Sequence, residues 1–206
     1  DKSVSRGLGD VYKRQVNYLS TPAVYGDRSG GVASEFDEPT PTSKRGERRL
    51  SAERAWIDTF SDTRVSVQIM RIAGIYGPGR SVIEQVAAGR ARIIEKEGQV
   101  FNRIHVDDIG TSLIASMLRP NDKRIYNLAD GNPCASGDVT RYACKLLQVE
   151  PPTPIKFEDA QLSDMARSFY SECKILETSR LRNELLVNLR YPSYKEGLRQ
   201  ILQDIN

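Results

Sequence analysis

Two strand-like segments separated by a helical segment constrain the fold of this chain most. VNYLS (16–20) is β-rich and runs into the turn signals of TPAVYGD. RVSVQIMRIAGIYG (64–77) alternates apolar residues and ends in glycines, which is typical of a buried strand. Between them, ERRLSAERAWIDTF (47–60) has helical periodicity, with Leu50, Trp56, Ile57 and Phe60 toward one side. This order predicts a βαβ unit and a parallel sheet.

The rest of the chain is predicted to be mixed α and β. Residues 27–44 are rich in Gly, Ser, Pro and acidic residues, which predicts a long surface loop. Extended segments are predicted at ARIIEK (91–96), QVFNRIHV (99–106) and RIYNLAD (124–130). Helices are predicted at VIEQVAAG (82–89), VDDIGTSLIASML (106–118), SGDVTRYACKLLQV (136–149), SECKILETSRLRNELL (171–186) and YKEGLRQILQDI (194–205).

Composition excludes several classes of function. The chain is 39% hydrophobic and 28% charged, with no long apolar window and no signal peptide, so we expect a cytoplasmic protein without a membrane partner. Three scattered cysteines and the single His105 make no zinc set, so no metal is expected. Of the net charge of +3, residues 1–15 contribute +2 (Lys2, Arg6, Lys13 and Arg14 against Asp1 and Asp10), so no nucleic-acid partner is expected.

The N-terminal stretch SRGLGDVYKRQ (5–15) is unusual. As a phosphate-binding loop it would need a strand before it and a helix after it, and the flanking letters predict neither. All of its residues can be translated in one frame from a sequencing-library adapter that ends in a transposon mosaic end. We therefore expect residues 1–15 to be non-native and disordered, and the native sequence to begin at Val16.

Six strings in order carry a family resemblance: STPAVYGD, the helix that follows, MRIAGIYGPGR, RIHVDDIG, IYNLAD and YPSYKEGL. Together they resemble the extended short-chain dehydrogenases/reductases, which include the nucleotide-sugar epimerases and dehydratases. The resemblance implies an α/β fold, with the C-terminal part of a Rossmann-type parallel sheet and a smaller α+β substrate-binding region. It implies NAD or NADP as the cofactor. Because no strand followed by GxGxxG is present, we expect about 100 residues of the dinucleotide-binding half to lie upstream.

The same resemblance divides the chain. Residues 16–79 would be the remaining part of the NAD(P)-binding domain, and residues 80–206 would be mostly the substrate-binding region. Elements within about 105–130 would return to the Rossmann domain.

Catalysis in this family uses a Ser/Thr and a Tyr-xxx-Lys pair. The Ser/Thr position falls on Thr21, although Thr21 could equally cap the end of its strand. In RGERRLSAE the tyrosine position is Arg45, the lysine position is Arg49 and the trailing glutamate is Glu53. Arginine stays protonated, so Arg45 cannot act as a reversible proton donor. Arg49 could still contact a ribose or phosphate, and both arginines could instead form a solvated helix face.

The resemblance also implies binding residues. The expected cofactor contacts are Leu19, Ser20, Thr21, Arg49, Ala73 and Gly74, and the expected substrate contacts are Tyr25, Tyr76, Arg80 and Arg103. An arginine that binds diphosphate in nucleotide-sugar epimerases would fall on Phe101, with Arg103 displaced from that place. A sugar nucleotide is therefore one candidate substrate without being assured, and His105 is expected to be structural.

These residues leave two functions open. The first is an NAD(P)-binding epimerase/dehydratase-like protein or oxidoreductase in which Arg-xxx-Arg replaces Tyr-xxx-Lys. The second is a non-catalytic dinucleotide-binding redox sensor or interaction module. A small-molecule substrate and a homodimer are the expected partners, and the chain by itself is expected to be inactive.

Overall fold

The computed structural model describes residues 14–205, so the expectation for residues 1–13 lies outside it. The first half contains β1 (Gln15–Ser20), a 3-10 helix (Pro22–Tyr25), β2 (Val32–Ala33), α1 (Lys44–Thr59), β3 (Ser66–Ile72), β4 (Gly74–Tyr76) and α2 (Val82–Ala87). The second half contains β5 (Ile94–Glu95), β6 (Arg103–His105), α3 (Val106–Leu118), β7 (Arg124–Leu128), α4 (Ser136–Leu147), β8 (Ile155–Lys156), α5 (Asp164–Phe169), β9 (Ile175–Leu176), α6 (Ser179–Asn183) and α7 (Tyr194–Ile205).

The main sheet is three parallel strands in the order β1–β3–β7. β1 begins at Gln15, one residue before the predicted start, and pairs with β3 from Gln15↔Ser66 to Ser20↔Arg71. The connection from β1 through α1 to β3 is the predicted βαβ unit. Parallel strands need such a crossover, because the chain must return to the starting end of the sheet.

Helices cover both faces of this sheet. Ser20 and Arg71 point toward α1, where both contact Glu53. Gln15 and Gln68 point to the opposite face, where their side chains donate hydrogen bonds to the Ser116 and Arg119 carbonyls at the end of α3. This three-layer arrangement confirms the predicted α/β class.

Short parallel strand pairs build the second region. β4 pairs with β6, β5 with β8, and β2 with β9. α2, α4 and α7 pack together around a separate core of Tyr76, Ile83, Val139, Ala143, Leu198 and Ile201. None of the helices within residues 14–205 is both long enough and apolar enough to cross a membrane.

The predicted helix at 171–186 is wrong over most of its length. Ile175–Leu176 form β9, which pairs with Val32–Ala33, and only Ser179–Asn183 are α-helical. The strand is stabilised from outside the segment, since the Asn102 side chain accepts a hydrogen bond from Leu176 N and donates one to the Lys174 carbonyl. These long-range bonds outweigh the local helical periodicity.

Candidate functional site

A row of buried polar side chains crosses the carboxyl ends of the three parallel strands. Ser20 of β1 lies in register with Arg71 of β3, which lies in register with Asn127 of β7. All three side chains are buried. In open α/β sheets, ligands bind outside the carboxyl ends of the strands, so this row forms the floor of the candidate site.

Glu53 links this row of side chains to α1, the helix that packs over it. The Arg71 guanidinium donates to both Glu53 carboxylate oxygens, at 3.1 Å from Nε to Oε1 and 2.7 Å from Nη2 to Oε2. The Ser20 hydroxyl donates to Oε1 of the same carboxylate. Because an arginine–carboxylate pair of this geometry fixes orientation as well as distance, α1 is held at one height over β1 and β3.

Tyr25 and Glu35 extend the row toward the long loop. The Tyr25 hydroxyl donates to Asn127 Oδ1 at 2.8 Å, and its ring lies 4.6 Å from the Arg71 guanidinium carbon. The Asn127 backbone N–H donates to Glu35 Oε1 at 2.8 Å. Burial raises the pKa of both Tyr25 and Glu35. Tyr25, predicted to contact the substrate, therefore lies in the interior with its hydroxyl bonded, and substrate contact stays a prediction.

The start of α1 places the two predicted arginines. Ser43 caps the helix by accepting a hydrogen bond from Gly46 N. Gly46 lies so close to the 3-10 helix that a Cβ there would be 2.6 Å from the Ala23 carbonyl oxygen. One turn on, Arg49 Nη1 donates at 3.1 Å to both the Leu19 carbonyl and the Tyr18 hydroxyl. Arg45 points elsewhere, with its guanidinium carbon 5.7 Å from the Phe169 ring centroid.

Part of the predicted cofactor set is brought together at one edge of the sheet. At the end of β1, Arg49 donates to the carbonyl of Leu19, and Ser20 is the next residue. On the neighbouring strand, Ala73 and Gly74 directly follow the end of β3. Thr21 comes next after β1, and its side chain accepts a hydrogen bond from Ala23 N as the cap of the 3-10 helix. This cap belongs to the helix that follows β1 rather than to the strand end considered from the sequence, and a catalytic role for Thr21 stays a prediction.

The predicted substrate residues are not gathered into one cleft. Tyr76 is buried against α7 and donates to the Ser193 carbonyl at 3.3 Å, and burial, followed by the nearby Asp130 carboxylate, raises its pKa. Arg103 Nη1 donates to the Phe101 and Cys134 carbonyls. Arg80 closes a tight turn with Gly77 through its backbone, and its side chain is exposed. Their substrate contacts stay predictions.

A cavity of about 520 Å³ lies in the second region instead. Its wall includes the β5 segment, the start of α4, and the rings of Phe101 and Tyr170. Ser136 Oγ and Tyr170 Oη lie 3.2 Å apart on this wall. A cavity of this size suits one small molecule.

Sequence reasoning missed Arg71, Asn127 and Glu35. Arg71 was visible as one charge inside an apolar strand, and a buried charge requires a partner. Which partner it has could not be read from the sequence, because Glu53 and Tyr25 lie in other elements.

Comparison with models of known protein families gives no match. Protein YeeZ of Escherichia coli strain K12 is 30% identical over 179 residues, which cover 86% of this chain and 59% of YeeZ. A solved structure of a functionally unknown conserved protein from Silicibacter pomeroyi is 44% identical, with a TM-score of 0.88, covering 93% of this chain and 67% of that one.

The structure of MoeE5 in complex with UDP-glucose and NAD is 22% identical, with a TM-score of 0.77, covering 92% of this chain and 64% of that one. At that identity the likeness concerns the fold, and it confirms the predicted Rossmann-type α/β class. The chain spans about 59% of the length of its curated relative YeeZ.

Proposed function

We propose that this chain, which belongs to the same family as the functionally unknown conserved protein from Silicibacter pomeroyi, is part of a longer NAD(P)-binding protein of the extended short-chain dehydrogenase/reductase type. In this proposal the protein is an epimerase/dehydratase-like enzyme or oxidoreductase in which Arg45 and Arg49 occupy the Tyr and Lys positions. The dinucleotide-binding glycines would lie in sequence upstream of this chain. The substrate would be a small molecule held in the 520 Å³ cavity and the space beside it.

The position of Arg49 carries this proposal. Its Nη1 group is anchored on the Leu19 carbonyl and the Tyr18 hydroxyl, at the carboxyl end of an edge strand. Its Nε and Nη2 groups have no acceptor among residues 14–205, so they remain available to donate to ribose hydroxyls or a phosphate. A fixed fork of donors suits both kinds of group. The residues present therefore fit a dinucleotide.

In this proposal, the residues of the chain would have the following roles. Arg49 would orient the ribose as a permanent cation, and the Glu53–Arg71 pair would hold α1 at the height that this contact requires. Thr21 would donate its hydroxyl to a substrate oxygen, since that hydroxyl accepts one backbone N–H at 3.4 Å and keeps its own proton free. The bound dinucleotide would supply hydride transfer.

A second candidate function is a dinucleotide-binding sensor without catalysis. The observation that favours it is the state of two tyrosines: the hydroxyls of Tyr25 and Tyr76 are both bonded inside the protein, to Asn127 and Ser193. Their pKa values are both raised, chiefly by burial, which moves them away from neutral pH. Neither tyrosine is placed to replace the missing acid.

Both candidate functions require the protein to bind a dinucleotide, and titration of the full-length protein with NADH and NADPH tests this binding. We expect NADH or NADPH to bind with a micromolar dissociation constant and Arg49→Ala to weaken binding by about tenfold or more. Arg48→Ala is the matched control, because Arg48 is an exposed arginine of the same helix turn. Failure of both dinucleotides to bind would sink the enzyme and sensor proposals alike.

Turnover separates the two candidates. Activity on a panel of carbonyl and sugar-nucleotide substrates that falls at least about a hundredfold with Thr21→Val would support the enzyme. Tight dinucleotide binding with no turnover, and unchanged binding in Arg45→Ala, would favour the sensor.

A further inference from the structure

We infer that Arg45 binds an oxyanion group of the substrate, either a carboxylate or a phosphate monoester. This inference rests on the proposed function and narrows the substrate class for the same site. Three features of the described residues support it: the charge of the first turns of α1, the free donors of Arg45, and the place of Arg45 between the sheet and the 520 Å³ cavity.

The first turns of α1 carry an unbalanced positive charge. Residues 44–49 hold four cations, Lys44, Arg45, Arg48 and Arg49, and one carboxylate, Glu47. The start of a helix disfavours cations, because the positive end of the helix dipole lies there. Arg45 and Arg49 also repel each other as like charges four residues apart. This charge therefore does not stabilise the helix, and departures from local rules of this kind are expected at functional sites.

No carboxylate among residues 14–205 forms an ion pair with Arg45 or Arg49. Glu172 comes close to the start of α1, where it accepts a hydrogen bond from Thr42 Oγ1 at 2.9 Å. Its other carboxylate oxygen pairs with the Lys174 ammonium at 2.6 Å, so its charge is already balanced. An anion from outside the fold would supply the negative charge that the first turns of α1 lack.

The guanidinium of Arg45 keeps its donors free. Its carbon lies 5.7 Å from the Phe169 ring centroid, and none of its N–H groups has an acceptor in the part of the chain that the structure describes. Arg45 is exposed, and Phe169 is 52% exposed. Phe169 belongs to the segment 161–169, in which no residue is buried, whereas Ala160 before it and Tyr170 after it are buried. The guanidinium and the ring beside it are therefore both accessible to a ligand.

Arg45 lies between the carboxyl end of β1 and the cavity. One turn after Arg45, Arg49 donates to the Leu19 carbonyl at the end of β1. On its other side Arg45 contacts Phe169, and the next residue, Tyr170, lines the cavity. Ligands of open α/β sheets bind outside the carboxyl ends of the strands. A substrate that extends from the cavity toward the end of β1 would therefore pass Arg45.

The chemistry of arginine suits Arg45 to binding rather than to proton transfer. A guanidinium stays protonated and presents its N–H donors in a fixed fork. Two oxygens of a carboxylate or a phosphate can accept parallel hydrogen bonds from this fork. The exposed Phe169 ring adds a surface for an apolar part of the same ligand. Arg45 is thus a recognition residue for an oxyanion.

An NMR titration of the isotope-labelled 206-residue chain tests this site. The signal to follow is that of the Arg45 Nε–H group, identified by its loss in Arg45→Gln. We expect benzoate, phenyl phosphate or both to shift this signal with a Kd of about 1 to 10 mM, and uncharged benzamide to leave it unchanged. A shift with benzoate alone assigns a carboxylate, and a shift with phenyl phosphate alone assigns a phosphate monoester. No shift with either anion, or an equal shift with benzamide, overturns the inference.

Saturation-transfer NMR with the anion that binds compares three variants. Arg45→Gln should weaken binding at least about fivefold, and Arg48→Gln less than about twofold. Arg48 is the matched control, because it is exposed on the same helix and its substitution removes the same charge. Arg45→Lys should retain part of the affinity, since the charge stays while the fork of donors is lost. Equal losses in the two glutamine variants would show a general attraction to the basic helix and would overturn the inference.

Failure of this inference is distinguishable from failure of the proposed function. The titration with benzoate and phenyl phosphate requires no dinucleotide, so a negative result overturns the role of Arg45 alone. Failure of both NADH and NADPH to bind the full-length protein would overturn the proposed function, whatever the titration shows.

Discussion

At the scale of single residues, the buried row beneath α1 has the largest energetic consequence. Arg71 is 1% exposed and Glu53 2% exposed, so each charge depends on the other for compensation. A buried ion pair is weak evidence of net stabilisation, because both ions lose hydration. Removal of one partner is a different case, since it leaves the other charge buried and uncompensated.

Glu53→Gln should therefore cost about 3 kcal/mol or more of unfolding free energy, measured by urea denaturation. The matched control is Glu38→Gln, because Glu38 pairs with Arg54 at the surface and a surface pair contributes about 1 kcal/mol or less. The double variant Glu53→Met/Arg71→Met should lose less than Glu53→Gln alone, since no buried charge remains. A loss below about 1 kcal/mol in Glu53→Gln would show that Arg71 does not depend on this carboxylate.

Asp130 predicts a pH dependence of stability. It is 2% exposed, its Oδ2 has no hydrogen-bond partner among residues 14–205, and burial raises its pKa from 3.8 to about 6. The folded state therefore favours the protonated form. The contribution of Asp130 to the free energy of unfolding is therefore fully present below about pH 4 and is lost as the pH rises through about 6.

Asp130→Asn should remove this dependence. At pH 7.5 we expect the variant to be more stable than the parent by about 2 kcal/mol, because the amide needs no buried charge and can still accept from Asn132 N. Below about pH 4 the two proteins should have equal stability. Thermal unfolding at a series of pH values measures the difference, and a gap that is the same at both pH values would contradict the assignment to Asp130.

At the scale of elements, the position of α7 is fixed by the close contact between its Gly197 and the Tyr76 side chain. Gly197 packs against Tyr76 so tightly that a Cβ would lie 2.6 Å from Tyr76 Cε2. Tyr76 is confined in turn, since its hydroxyl donates to the Ser193 carbonyl just before α7. There is no space for a methyl group here, so packing requires glycine at this position. This requirement outweighs the low helix propensity of glycine.

Gly197→Ala should thus destabilise the protein by about 1 to 3 kcal/mol through overpacking. Gly110→Ala makes the same change in α3, where nothing lies within 4 Å of the added Cβ, and should stabilise by about 0.5 to 1 kcal/mol through helix propensity. Chemical denaturation of both variants gives the comparison. Equal effects of the two substitutions would rule out the packing explanation.

At the scale of the whole molecule, two surfaces are left without partners among residues 14–205. β1 pairs on one side only, with β3. On α3, which contacts β1, the apolar side chains of Ile114, Met117 and Leu118 are 61%, 62% and 74% exposed. Unpaired strand edges and apolar patches of this kind promote association.

We therefore expect the 206-residue chain to self-associate, and Ile114→Lys/Leu118→Glu to reduce the association without changing the melting temperature by more than about 2 °C. Val149→Lys serves as the control, because Val149 is an exposed apolar residue in another part of the fold. Sedimentation velocity measures the distribution of species. Unchanged association in the α3 variant would exclude this face.

The sequence by itself determined the elements whose signals are local. The helical period of VDDIGTSLIASML predicts α3 over its full observed length, and the alternation in RVSVQIMRI predicts β3, because side-chain periodicity repeats within each element. The strand, helix, strand order likewise predicted the parallel sheet. Only the tertiary structure decided the partners: Glu53 for Arg71, Asn127 for Tyr25, and Val32–Ala33 for β9. Each of these pairings joins residues from different elements, so its energy depends on strand register and helix height, which no local pattern encodes.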